Sequence, residues 1–260
     1  MNVLKAAAKA SDGSKVLTRG LEVLRILIEA DAPITSTEVS KKIGLHQSTA
    51  SRILRALMRA GYVRKPDYHS FSVDYGVITL CGNGARHFAL CNQPLQPMVA
   101  LSEKYPELSF ALGGIWDKEL IYFLRVTHGH DPVRAAVTGC PLHLSSVGMR
   151  LLLDMPEAEA LELLAASKRR YGWTRPTARV PANEKASLVA ARSMLHYDCL
   201  VLEDWNSPKQ MTAAVPLAIK SDLPVCMAVY GSNHPDTKTT VLILQEARRA
   251  VEQALMQSVQ

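Results

Sequence analysis

The sequence predicts an α+β protein in two parts: a small helical domain closed by a short hairpin, then a larger domain of antiparallel strands and helices. Three observations carry this. Apolar residues recur at helical spacing between Leu21 and Leu57, two pairs of apolar β-rich runs are each joined by a three-residue segment, and the positive charge is concentrated at one end of the chain. With 260 residues, 48% of them in the hydrophobic group and 21% charged, there is material for one large core or two ordinary ones and too little polarity for disorder.

In the first part Thr18 can cap a helix over 19–30, whose stripe is Leu21, Leu24, Leu27 and Ile28, ended by Asp31-Ala32-Pro33. Thr35-Ser36-Thr37-Glu38 has the form of a capping box, with Ile34 and Val39 as its hydrophobic staple, and opens a helix over 36–43. Gly44 then supplies a tight turn. A third helix runs over 47–60 and stops at Gly61, a residue suited to a left-handed helix end. Two helices joined by a glycine turn make a helix-turn-helix. Tyr62-Val63-Arg64-Lys65 and Phe71-Ser72-Val73, flanking Pro66-Asp67-Tyr68-His69-Ser70, read as a basic wing after it.

Residues 76–93, with Gly76, Gly82 and Gly84, read as a linker. Beyond it a helix is expected over 94–105, a hairpin from 108–115 and 119–126, helices over 145–155, 157–168 and 182–196, a second hairpin from 211–219 and 223–231, and a closing helix over 237–256. The domains are therefore a mobile tail over 1–15, a winged helix-turn-helix over 16–75, the linker, and an α+β domain over 94–260.

Charge assigns work to the first part. Residues 1–75 hold 12 Lys/Arg against 7 Asp/Glu, so they carry +5 of the formal net charge of +6. From Lys41 to Lys65 there are seven basic residues and no acidic one, the footprint of a surface that faces phosphates. On the third helix Ala50, Ile53, Leu54 and Leu57 share the core side, while Ser48, Arg52, Arg55 and Arg59 lie opposite. His46, Gln47, Ser48, Thr49 and Ser51 occupy the end that points at base edges in such motifs, Gln47 foremost. Thr35, Thr37, Arg52, Arg55, Arg64 and Lys65 complete the expected contact set with double-stranded operator DNA.

Other classes fit less well. No run is long and uncharged enough to span a membrane, and the N-terminal segment lacks the apolar core of a secretory leader, which points to the cytoplasm. Five scattered cysteines, none spaced CxxC, argue against disulfides or a structural zinc site. The strings GxSxG, Walker A, complete GxGxxG and HExxH are missing. The competing reading is a thiol- or metal-dependent hydrolase built on His128, His130, Cys140 and His143. The regulator reading needs no cofactor and no metal.

The strings Leu17-Thr-Arg-Gly-Leu-Glu-Val-Leu-Arg-Ile-Leu, Ile43-Gly-Leu-His-Gln-Ser-Thr-Ala-Ser-Arg-Ile-Leu-Arg-Ala-Leu and Ala60-Gly-Tyr-Val resemble the isocitrate-lyase-regulator (IclR) family of bacterial transcription factors, and the likeness continues to the C-terminus. His46 departs from it, standing where family members often carry proline or serine. The resemblance implies a GAF-like second domain that binds a small effector, and a homodimer or tetramer. Arg134, Gly139, Pro141-Leu142-His143 and Ser145-Ser146-Val147-Gly148 resemble the loop that closes over the ligand, Glu203-Asp204 the family's acidic region, and Ala213-Ala214-Val215-Pro216 its alanine-rich strand.

Where relatives for very small oxo-acids place Ser and Cys, the nearest residues here are Val215, Ala228 and Tyr230. Cys226, Ala228 and Tyr230 share one strand face. With Phe110, Leu112, Met149, Trp205 and Met211 they are expected to form a larger apolar cavity for an aromatic or bulky carboxylate. Its anionic end would be met by Arg125, His143 or the amides near Ser145 and Ser146.

Overall fold

The computed structural model describes residues 12–137, 139–232 and 234–257, and the chain divides into two compact units, Met1–Gly84 and Ala85–Gln260. In the first unit α1 (Asp12–Ile28), β1 (Ile34–Thr35), α2 (Ser36–Ile43), α3 (Gln47–Arg59), β2 (Val63–Arg64), β3 (Ser70–Val73) and α4 (Tyr75–Ala85) follow in order. Val23, Leu24, Leu27, Val39, Ala50, Ile53, Leu54, Val63 and Phe71 form the core between them. The capping box is present: Thr35 N–H donates to the Glu38 carboxylate at 2.7 Å, and Glu38 N–H donates back to Thr35 Oγ1 at 3.2 Å. Gly44 at φ 63° and Gly61 at φ 78° take the left-handed conformation that makes the two turns cheap for glycine alone.

Three expectations need correction here. The first helix begins at Asp12, so Thr18 lies inside it, and the expected tail ends by then; its residues up to 11 fall outside the described ones. Ile34–Thr35 adds a third strand, paired with Phe71 and Ser70, that a two-residue run does not announce. The linker is helical: α4 covers most of it and α5 (Ala89–Asn92) part of the rest, despite its glycines.

The second unit is built on a seven-stranded antiparallel sheet in the order β6-β5-β4-β10-β9-β8-β7. The strands are β4 (Ser109–Trp116), β5 (Glu119–Thr127), β6 (Val133–Val137), β7 (Leu195–His196), β8 (Cys199–Glu203), β9 (Met211–Pro216) and β10 (Val225–Gly231). Asp117 and Lys118, both at positive φ, turn β4 into β5 with the twist that hairpins favour. Strands β6, β7 and β8 were not foreseen; Leu195 and His196, read as the end of a helix, instead open a short hairpin to Cys199.

The helices divide between the two faces of this sheet. On one, α6 (Leu95–Lys104) and α10 (Thr237–Gln257) cover Phe110, Leu112, Met211, Val215, Met227 and Val229. On the other, α7 (Ser146–Leu153), α8 (Glu157–Tyr171) and α9 (Glu184–Ser193) cover Ala111, Ala214, Cys226 and Ala228. The register fixes the division. Ala228 pairs with Ala111 and Ala214, whereas Val229 pairs with Phe110, and cross-strand partners point to the same side.

Candidate functional site

The polar face of the first unit is assembled by α2 and α3. His46 caps α3, its Nδ1 accepting from Ser48 N–H and lying 2.9 Å from Ser48 Oγ. One turn away in space, Gln47 Nε2 donates to Thr37 Oγ1 at 2.8 Å. That bond fixes the amide at the helix start and leaves Oε1 and one N–H of Gln47 to face outward, the acceptor and donor pair that matches adenine in a major groove. Ser51 and Arg55 continue the same face, with Arg55 Nε donating to Ser51 O at 3.4 Å.

Not every expected contact residue sits there. The Thr35 hydroxyl is engaged with Glu38, whose carboxyl that bonding, helped by Lys42 and Lys41, holds below its usual range. Thr49 and Arg52 fall on the flank of α3 that faces α1. With Val16, Leu17, Leu21, Leu24, Ala56, Leu57 and Leu80 they line an apolar groove of about 520 Å³. Arg64 is exposed on β2, but Lys65 Nζ is folded back onto Tyr68 O at 2.8 Å.

In the second unit the expected effector residues separate. Phe110, Leu112, Met211 and Val215 face α6 and α10 and cannot line a cavity with Ala228, because the register puts them on the far side of the sheet. Met149, Trp205, Cys226 and Ala228 share the α7 side, packed in its core. Trp205 Nε1 donates to His143 O at 2.7 Å. The buried His143 ring stacks on Trp173 at 3.9 Å, and its Nε2 lies 2.8 Å from Thr174 O. Burial lowers the His143 pKa. Ser145 caps α7 by accepting from Gly148 N–H at 3.2 Å, with Ser146 beginning that helix.

At the end of this same face a cavity of about 390 Å³ is lined by Arg125, Thr127, His130, Asp131, Val133 and Tyr230. Arg125 is its cation, and its buried Nε finds no hydrogen-bond partner among the described residues. Beside it stands Tyr122, with the Arg125 guanidinium carbon 5.8 Å from the ring centroid. Burial pushes the Tyr122 phenol up to about 12, partly offset by its hydrogen bond to Ser145; Cys140 and Tyr230 are further neighbours.

Sequence reasoning missed Tyr122 for a definite reason. Three residues apart on a regular strand, Tyr122 and Arg125 would point to opposite faces. A bulge between Leu112 and Gly113 breaks the alternation in β5, so Phe123 and Leu124 both face α6 and α10, and Tyr122 and Arg125 both face α7. Gly113 completes the arrangement, since a Cβ there would stand 2.6 Å from the Tyr122 ring.

The four residues of the hydrolase reading are not arranged for it. His128 and His130 are exposed, while burial pushes the Cys140 thiol up to about 11, the reverse of an activated nucleophile. Among the described residues no group of three or more His, Cys, Asp or Glu could hold a metal ion, and no helix is long and apolar enough to cross a membrane.

Residues 16–67 match the model of the IclR helix-turn-helix domain. The transcriptional repressor IclR of Escherichia coli is 26% identical over 200 residues, which span 72% of this chain and 69% of that protein. An IclR family transcriptional regulator from Brucella abortus superposes with a TM-score of 0.76 at 24% identity, covering 96% of each chain. An IclR homolog from Microbacterium hydrocarbonoxydans, solved in complex with 4-hydroxybenzoate, superposes with a TM-score of 0.69 at 21% identity over 93% of this chain and 99% of that one.

Proposed function

We propose that this IclR-type transcriptional regulator acts in the cytoplasm as a homodimer, reads a near-palindromic operator through α3, and is switched by an aromatic or otherwise bulky carboxylate. The observation that carries the DNA part is the Thr37–Gln47 bond at the start of a helix whose outward face is polar and cationic. Gln47, Ser48 and Ser51 read base edges; Arg55, Arg59 and Arg64 meet phosphates. A second copy covers the apolar groove between α1, α3 and α4, where Val16, Leu17, Leu21 and Leu80 stay more than half exposed. Two recognition helices related by such an axis bind half-sites about one helical turn or a multiple apart. Repression or activation then follows from where the operator lies.

The effector reading rests on the cavity beside Arg125. A buried guanidinium nitrogen without a partner favours an incoming carboxylate, because each desolvated charge then satisfies the other. Tyr230 lines this cavity and Tyr122 stands beside Arg125, so each offers an incoming ring an aromatic surface with a hydroxyl group. The 4-hydroxybenzoate bound by the Microbacterium homolog belongs to the class such a site suits.

The test begins with duplexes enriched by the wild type from a random library. Gln47→Ala is expected to lose about 1–3 kcal/mol at particular base pairs only, and Thr37→Val to blur the same positions more weakly. Arg64→Ala is expected to weaken all duplexes alike. Equal losses on enriched and random DNA for Gln47→Ala would remove its role as base reader. A thermal-shift comparison of 4-hydroxybenzoate with glyoxylate and pyruvate decides the effector class, since a ligand of the native state raises its stability by mass action.

A further inference from the structure

The cavity beside Arg125 holds a second charge that an incoming carboxylate does not use. Val133 is the Cα partner of Arg125 across β5 and β6, and Asp131 precedes Val133 by two residues. Side chains two apart along a strand share a face. Asp131 therefore stands diagonally across from Arg125, and both line the cavity. The loop before it is tight, with Gly129 at φ 74° and His130 N–H donating to Thr127 O at 3.1 Å.

The two charges differ in setting. Arg125 is half-buried, its Nε is sealed from solvent without a partner, and its guanidinium lies beside the Tyr122 ring. Asp131 is exposed, and among the described residues its carboxylate has no hydrogen bond or ion pair. Diagonal neighbours of an antiparallel pair lie about 7–8 Å apart, within reach of an arginine, yet the two do not pair. The cavity of about 390 Å³ that they share is of a size for one small organic molecule.

Two opposite charges that line one cavity without neutralising each other select a ligand by what its far side carries. A carboxylate held by Arg125 gains a second charge-assisted bond if an amino or hydroxyl group on its other side donates to Asp131. A second carboxylate in that place meets a like charge instead. Discrimination of this kind uses repulsion as well as attraction.

We infer that Asp131 sets the specificity of this site, favouring a carboxylate that bears a hydrogen-bond donor, an ammonium above all, on the side away from Arg125, and rejecting dicarboxylates. The inference rests on the reading of this cavity as the carboxylate effector site and adds the other half of the ligand.

The test titrates the full chain calorimetrically with benzoate, 4-(aminomethyl)benzoate and terephthalate, which share a ring and a carboxylate and differ in the charge of the group opposite. The wild type is expected to bind the aminomethyl compound about fivefold more tightly than benzoate and terephthalate about fivefold more weakly, the scale of an ion pair open to solvent. Asp131→Asn weakens the first and tightens the last, bringing the three within about twofold of one another. Asp131→Glu keeps the wild-type order. Opposite signs in one variant are what misfolding or a general loss of affinity cannot imitate.

Equal affinity of the wild type for all three ligands overturns the inference. So does an Asp131→Asn variant that shifts all three by one common factor or by none, because Asp131 would then be a rival for Arg125 or a bystander. If the wild type binds none of them, or if Arg125→Met leaves the affinity for benzoate intact, the carboxylate reading falls and takes the inference with it, a result the Asp131 variants alone do not produce.

Discussion

The two faces of the seven-stranded sheet are made by the same strands and serve opposite ends. Toward α6 and α10 the strands present Phe110, Leu112, Val215, Met227 and Val229, large groups that fill their layer. Toward α7 they present Ala111, Ala214 and Ala228, small groups on which α7, α8 and α9 pack, and the cavity lined by Arg125 and Tyr230 lies at the end of that face. A close-packed interior tolerates few voids, so a binding cavity persists only where small residues are paired with polar groups able to hold a ligand. The contrast teaches that side-chain size across one register, rather than apolar character, distinguishes the two faces.

The largest expected effect is on the filled face. Phe110→Ala should cost about 3–5 kcal/mol of stability by leaving a cavity in a layer that cannot collapse around it. Urea unfolding measures this, and the folded variant should rank carboxylate ligands as the wild type does. A changed ranking would mean that both faces shape the ligand site.

On the open face the signs reverse. Arg125→Met is expected to weaken the best carboxylate found by thermal shift roughly ten- to hundredfold, the worth of about 1.5–3 kcal/mol for a charge-assisted hydrogen bond. Stability in the absence of ligand should hold or rise, because a buried nitrogen without a partner disappears. Ala228→Trp should fill the face, abolish the ligand response and leave DNA binding intact. Calorimetric titration checks both variants; full ligand affinity in either one places the site elsewhere.

The smallest effect is a pH dependence confined to the open face. Burial lowers the His143 pKa in the folded protein, so its contribution to stability is complete above the unfolded value of about 6.5 and is lost as pH falls through the lower folded one. The melting temperature should therefore drop between pH 7 and pH 5. His143→Gln, whose amide can still donate to Thr174 O, should flatten that slope while lowering the curve as a whole. An unchanged slope would show that His143 does not take up a proton only on unfolding.

What the sequence disclosed was local. The capping box at Thr35 and Glu38, the turn at Gly44 and the polar side of α3 each depend on residues within a few positions of one another. The alternation that put Cys226, Ala228 and Tyr230 together was local too, and the structure keeps them on one face. Which residues of β4 and β9 join them depends on register with strands far away in the chain, so Phe110, Leu112, Met211 and Val215 were assigned to the wrong side. Tyr122 was hidden twice, by the register and by the bulge that turns it toward Arg125's side. Strand β8 escaped because it follows a two-residue strand that reads as the end of a helix.

Gly113 gives this arrangement a practical meaning. The Tyr122 ring lies where a methyl group at position 113 would stand, with the backbone oxygen of Ile121 closing off the other direction at 3.0 Å. An alanine there would press on the ring and on the Ile121 carbonyl at once, so the ring must leave its seat beside Arg125. A single methyl group would then reset the aromatic side chain that stands beside Arg125.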